Sequence, residues 1–241
     1  GVDAGSDWCA AFNGGVATEG LMIANGDYVN TSQNGKVLRK NIIVKNVSTI
    51  VKGSADLVHS FLIENCYEPY VDNIDTYNGF AGFIYKNIGG TATNIKSTNS
   101  GQYGIIIKTN SYAYSNSLFL NGFEIDGGTG LAIHDEGDAS GIQNVYIANG
   151  RIKNTTYGVK QIGALIKYLN MTNVVCSNIS GTGFYFSNAQ HSNLLSCSAT
   201  SCTGGGLKII GINNRVSECR ATSNTGVGID IGCSAGSFPC I

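Results

Sequence analysis

Cys197-Ser198-Ala199-Thr200-Ser201-Cys202-Thr203-Gly204-Gly205-Gly206-Leu207-Lys208-Ile209 is followed by Cys219-Arg220-Ala221-Thr222-Ser223-Asn224-Thr225-Gly226-Val227-Gly228-Ile229-Asp230-Ile231, the same frame displaced by 22 residues. Each copy ends on a glycine followed by an apolar, a polar and an apolar residue. Alternation with period two is the mark of a strand. Toward the N-terminus the signature recurs at Gly183-Phe184-Tyr185-Phe186, Gly158-Val159-Lys160-Gln161, Gly130-Leu131-Ala132-Ile133, Gly104-Ile105-Ile106-Ile107 and Gly82-Phe83-Ile84-Tyr85. From Gly82 onward the glycines lie 22, 26, 28, 25, 23 and 22 residues apart. A second alternating stretch precedes several of them, at Ile74, Ile95, Phe123 with Ile125, and Val174.

Two or three short strands per unit of ~24 residues, turned at Gly, Asn, Ser and Thr, describe a solenoid. The unit is too short for tetratricopeptide, ankyrin or WD40 repeats, and the leucine-rich frame is absent. The expected fold class is all-β: a right-handed single-stranded parallel β-helix of about nine rungs with a short N-terminal helical cap. One domain covers 1–241, with a cap at 1–19, rungs at 20–232 and a C-terminal cap at 233–241. The residues one and three after each glycine should point inward: Phe83, Tyr85, Ile105, Ile107, Leu131, Ile133, Val159, Phe184, Phe186, Leu207, Ile209, Ile229 and Ile231. Gln161 breaks this set and predicts a corner or bulge near Ile162. Ile84 and Ile106 point outward and need cover. Asn, Ser and Thr at the corners should form side-chain hydrogen-bond ladders between rungs.

Composition excludes several classes. The 241 residues carry a net charge of -1, against a polybasic nucleic-acid partner. No apolar run is long enough to insert into a membrane. Only 2 prolines occur, which suits strands that need every N–H for the ladder. The 8 cysteines show no CxxC pair and no Cys/His cluster, so neither a metal nor a cofactor is expected. Cys176, Cys197 and Cys219, 21 and 22 residues apart, read as a stacked column of buried thiols. Cys233 and Cys240 could join at the C-terminal end.

The N-terminus adds a motif. Asp7 stands where it could cap a helix through Trp8, Cys9, Ala10, Ala11 and Phe12, stopped at Gly14-Gly15. Gly20-Leu21-Met22-Ile23-Ala24-Asn25-Gly26-Asp27-Tyr28-Val29 follows. This order resembles the N-terminal cap of the pectate-lyase-like superfamily, and among its members the β-helix domains of bacteriophage tailspikes and polysaccharide depolymerases. The resemblance covers residues 1 to 30 as motif and the rest as repeat pattern. It implies a tailspike-type virion or extracellular protein, homotrimeric, that binds and cleaves bacterial surface polysaccharide, with other virion proteins as partners.

Hydrolysis on such a scaffold needs two carboxylates flanking a glycosidic bond. With 16 acidic residues the candidates are few. His134-Asp135-Glu136-Gly137-Asp138 is the densest group, and Glu124 and Asp126 flank the inward Ile125. Asp135, Glu136, Asp138, Glu124 and Asp126 are therefore the candidate acids and bases. Arg151 and Lys153 flank Ile152 and should stack on Glu124 and Asp126. Lys86, Lys108 and His134 each follow a repeat glycine by four residues. Like charges on neighbouring strands repel, so this basic column suggests contact with an acidic polymer. Tyr103 and Tyr112 offer faces for sugar rings. Two other readings stay open: a non-catalytic structural or adhesive virion protein, and a secreted polysaccharide lyase or epimerase with Lys108 or His134 as the base.

Overall fold

The computed structural model describes residues 8–11, 19–25, 42–51, 59–108, 117–135 and 141–233. Apart from Trp8–Ala11, their strands are parallel and wind into a β-solenoid of about seven turns. Against the nine rungs expected, nine strands stack in the first sheet and eight rungs in the second; stretches 26–41 and 52–58, which the repeat assigned to rungs, lie outside the described residues. The first sheet stacks Glu19–Asn25, His59–Tyr67, Phe83–Ile88, Tyr103–Lys108, Gly130–His134, Val159–Ile162, Thr182–Gln190, Gly205–Ile212 and Ile229–Cys233. The second stacks Ile43–Ile50, Tyr70–Tyr77, Gly90–Thr98, Leu118–Asp126, Val145–Lys153 and Asn170–Ile179. Its last two rungs are split into Asn193–Leu195 with Ser198–Cys202, and Arg215–Ser217 with Arg220–Thr222.

The second-sheet strands bend where the sequence supplies residues that tolerate the left-handed conformation. Asn46, Asn73, Asn94, Asn149, Asn173, Ser196 and Glu218 have φ between 52° and 57°, and Gly122 completes the column at 68°. The strand register places these eight residues directly above one another. A second such column runs through Asn78, Asn99, Gly127, Asn154, Asn178, Ser201 and Ser223. The expected amide ladders are present. Asn149 Nδ2 donates to Asn121 Oδ1 and Asn173 Nδ2 to Asn149 Oδ1, each at 2.8 Å.

The residue after each bend turns inward, giving the column Val47, Ile74, Ile95, Phe123, Gly150, Val174, Cys197 and Cys219. Gly150 leaves the space that the Phe123 ring fills. The repeat glycines face this core from the first sheet. A Cβ added at Gly183 would lie 2.7 Å from the Gly206 carbonyl oxygen and 2.8 Å from Ala199 Cβ. The repeat glycine is thus set by close packing between rungs and across the narrow interior. The inward set is buried from Phe83 to Ile209. Each large apolar side chain so buried contributes ~1.5–3 kcal/mol.

Four expectations are corrected. Trp8–Ala11 is a strand, antiparallel to Glu19–Asn25 with Trp8 opposite Asn25, so the helix over these residues is replaced by strand pairing. Cys197 and Cys219 stack, but Cys176 is in register with Ala199, two positions along the strand. Ile229 and Ile231 are 41% and 48% exposed, because no described rung follows theirs. The outward Ile84 and Ile106 are already buried within the chain, in a second cluster with Leu62, Ala81 and Ala132. Gln161 does mark a bulge, one rung further on. Its amide lies buried in line with Ile133, donates to the Asn188 carbonyl at 3.2 Å and accepts the Asn188 N–H at 3.0 Å. The register of the next strand shifts there, between Phe186 and Ala189. Cys233 is disulfide-bonded; its suggested partner Cys240 lies outside the described residues.

Candidate functional site

Three outward arrangements carry polar chemistry. On the first sheet, Lys86, Lys108 and His134 stack on successive strands as the spacing predicts. Glu64, which the sequence reading passed over, lies directly before Lys86 in the same column. The three basic residues are half-buried and Glu64 is buried. They run beside the covered apolar column Leu62, Ile84, Ile106 and Ala132. Tyr103 packs against that cluster rather than standing free, and burial raises its phenol pKa, helped by Tyr157. Asp135 is buried at the end of Gly130–His134, where its N–H donates to the Ile162 carbonyl at 2.9 Å. Tyr112, Glu136 and Asp138 lie outside the described residues. The two longest repeat intervals, 26 and 28, place their extra residues directly after Lys108 and Asp135.

The second arrangement lies on the second sheet. Asp75, Lys96, Glu124 and Arg151 stack in register and alternate in sign. Lys153 Nζ bridges Glu124 at 3.0 Å and Asp126 at 3.3 Å. Asn154 Nδ2 donates to Asp126 Oδ1 at 2.8 Å, and this bond, then Lys153, holds the Asp126 carboxyl below its ordinary range. Lys153 is raised in turn, first by its hydrogen bond to Glu124. These groups are about one-third exposed, so each ion pair stabilises by only ~0–1 kcal/mol. Glycoside hydrolysis needs one carboxyl protonated at working pH. The Lys153 ammonium and the Asn154 amide favour Asp126 in the ionised form. The arrangement suits stacking of the sheet better than acid catalysis.

The third arrangement was not singled out in the sequence. The residues three before each bend form an outward column: Tyr70, Thr91, Phe119, Tyr146, Asn170, Asn193 and Arg215. Phe119 and Tyr146 stack with ring centroids 4.7 Å apart and planes 17° off parallel. Phe119 is 42% exposed. At the N-terminal end Lys45 Nζ lies 5.0 Å from the Tyr70 ring centre. Two shallow depressions follow this column, of about 400 Å³ around Phe119 and Tyr146 and about 340 Å³ around Leu195 and Arg215. Asn170 and Thr172 line both, so they form one groove across six rungs. At ~4.8 Å per rung the groove runs about 24 Å along the solenoid axis. Its N-terminal half carries the stacked Phe119 and Tyr146 rings, with Thr91, Asn170 and Asn193 continuing their column and Thr93, Asn121 and Thr172 beside it; the C-terminal half is lined by Leu194, Leu195 and polar groups without an aromatic ring. Arg215, hydrogen-bonded by its Nε to Ser217 at 3.0 Å, and Glu218 stand at the C-terminal end. The signal that could have found it is the bend column: an outward aromatic recurs three residues before Asn73, Gly122 and Asn149.

The chain therefore brings Lys86, Lys108 and His134 together, and Glu124, Asp126 and Arg151 together, but on different sheets. Among the described residues no group of three or more His, Cys, Asp and Glu gathers to hold a metal ion. Comparison with protein-family models, with curated proteins and with solved structures gives no match, so fold and site geometry are what any assignment of function has to rest on.

Proposed function

We propose that this chain is a glycan-binding β-helix of the tailspike type, and that it holds an extended bacterial surface polysaccharide along the outer groove of its second sheet. The observation that carries the reading is the groove itself. It is linear, lies along the axis, and pairs two stacked aromatic rings in its N-terminal half with amides and hydroxyls along the rest, ending at Arg215 and Glu218. A pyranose presents an apolar face and an equatorial belt of hydroxyls, so rings need aromatic faces below and hydrogen-bonding groups beside them. Stacked rungs repeat these groups at a fixed step, as a polymer repeats its sugars. The N-terminal resemblance adds less, since Trp8–Ala11 is a strand where the resembling cap has a helix.

Binding rather than cleavage is the reading that this groove supports. Glu124 and Asp126 share one ammonium and lie outside its lining. The test is titration of purified capsular and O-antigen polysaccharides against the chain, with release of reducing ends followed in parallel. Phe119→Ala and Tyr146→Ala should each weaken binding by roughly tenfold, the worth of one lost aromatic stack. Unchanged affinity in both variants, with the fold intact, would remove the groove as the site. Release of reducing ends that Glu124→Gln abolishes would restore the hydrolase.

A further inference from the structure

The last two rungs place Cys197 and Cys219 directly one above the other, each just after a left-handed bend, at Ser196 and Glu218. In-register residues of parallel neighbours have Cα atoms ~4.8 Å apart, inside the range that a disulfide spans. Both side chains point inward on the same column. Each thiol reaches a carbonyl of the preceding rung: Cys197 that of Met171 at 3.8 Å, and Cys219 that of Leu194 at 3.6 Å. The two differ in access. Cys197 is 1% exposed, whereas Cys219 is only partly buried, at the end of the described stack.

We propose that Cys197 and Cys219 form an oxidisable pair, in which Cys219 is a modification site for low-molecular-weight disulfides and Cys197 resolves the adduct. In the first step the Cys219 thiolate attacks one sulfur of the disulfide RSSR. The S–S bond breaks, RS⁻ leaves and takes a proton, and Cys219–SR remains. In the second step Cys197 gives its proton to solvent and attacks Cys219 Sγ, expelling the second RS⁻, which is protonated in turn. The balance is two protein thiols plus RSSR giving one protein disulfide plus two RSH, with the protein oxidised and the reagent reduced. The neighbouring Cys197 side chain, then the backbone groups around it, bring the Cys219 thiol down to about 7, against burial and the nearby Glu218. The same contact pushes Cys197 up, with burial adding to it. The outer sulfur is thus the nucleophile and the inner one the reserve. Cys176, Cys202 and Cys66 are buried thiols with raised pKa values and do not compete. The product would staple the last rung to the one before it, at the end where Cys233 is already disulfide-bonded.

The experiment treats the full chain with oxidised glutathione, then maps its peptides by mass spectrometry without reduction. The expected result is a Cys197–Cys219 cross-link and loss of those two thiols from the alkylatable pool. Amide exchange in Arg215–Ser217 and Arg220–Thr222 should then slow by about tenfold or more. Cys197→Ala should stop the reaction at a single glutathione adduct on Cys219, and Cys219→Ala should leave Cys197 unmodified. Because the variants could disturb packing, alkylation of the unaltered chain gives a second readout: Cys219 should label before Cys66, Cys176, Cys197 and Cys202. A cross-link to any other cysteine, a stable adduct with no cross-link in the unaltered chain, or equal labelling of Cys219 and Cys176 would overturn the proposal.

Discussion

At the scale of single residues the fold is set by two demands on the backbone. One is steric. Gly183 lies against the Gly206 carbonyl and Ala199, so a methyl group there has no room. Gly183→Ala should destabilise by about 1–3 kcal/mol through overpacking, read as a shift in the urea midpoint at constant slope. The other demand is conformational. Asn149 sits at φ 54° and hydrogen-bonds to the rungs on both sides. Asn149→Ala should cost about 1–2 kcal/mol, and Asn149→Gly less, because glycine keeps the left-handed backbone and loses only the exposed amide bonds. Equal losses would mean that the side-chain ladder, not the bend, matters. The sequence showed both demands unequally. The repeat glycines were legible because they recur before an alternating strand. The bend column was harder to see, because Asn, Ser, Glu and Gly all occupy it.

At the scale of strands, parity was legible and register only in part. Between bends, any residue two positions from an inward one is also inward, so the inward direction of Cys176, Cys197 and Cys219 followed from alternation alone. Their stacking did not, because the interval between rungs varies. Val174 is the residue level with Cys197, 23 positions earlier, as the spacing from Gly183 to Gly206 also requires. The N-terminal segment failed for another reason. Trp8–Ala11 has a plausible cap and helix-forming alanines, yet pairing with Glu19–Asn25 overrides a propensity worth only tenths of a kcal/mol per residue. The ion column of the second sheet was legible, since Ile125 and Ile152 fix which neighbours point out. It carries a pH prediction. Asp126 is depressed in the folded chain, first by Asn154 and then by Lys153. Its stabilising share is present above the unfolded value of ~3.9 and is lost as pH falls through the lower folded value. Asp72, held down first by Thr93 and then by Asn94, acts in the same sense. Thermal midpoints should therefore fall on acidification below the carboxylate range, and Asn154→Ala should shallow that fall. A slope unchanged by Asn154→Ala would mean that Asp126 is not the group responsible.

At the scale of the whole molecule the core of this solenoid is one continuous column, and each rung is supported only by its neighbours. Local stability should therefore follow the number of rungs packed on either side. Leu207 and Ile209 are 3% and 0% exposed, while Ile229 and Ile231, one rung on in the same columns, are 41% and 48% exposed. The groove spans Gly90–Thr98 to Arg215–Ser217, so most of it rests on rungs covered from both sides. A scaffold that is already rigid loses little freedom when a polymer settles on it, which suits a site made of many weak contacts. Only the Arg215 end lies near the open edge. Amide exchange should record this gradient, slow through Val159–Ile162 and Thr182–Gln190 and at least about tenfold faster in Ile229–Cys233. The matching pair of substitutions is Ile209→Ala and Ile231→Ala. The first should cost about 2–5 kcal/mol, as expected for a fully buried aliphatic, and the second less than half of that. Comparable costs, together with uniform exchange from end to end, would show that the last rung is covered in solution, and the Arg215 end of the groove would then be as fixed as its Phe119–Tyr146 half.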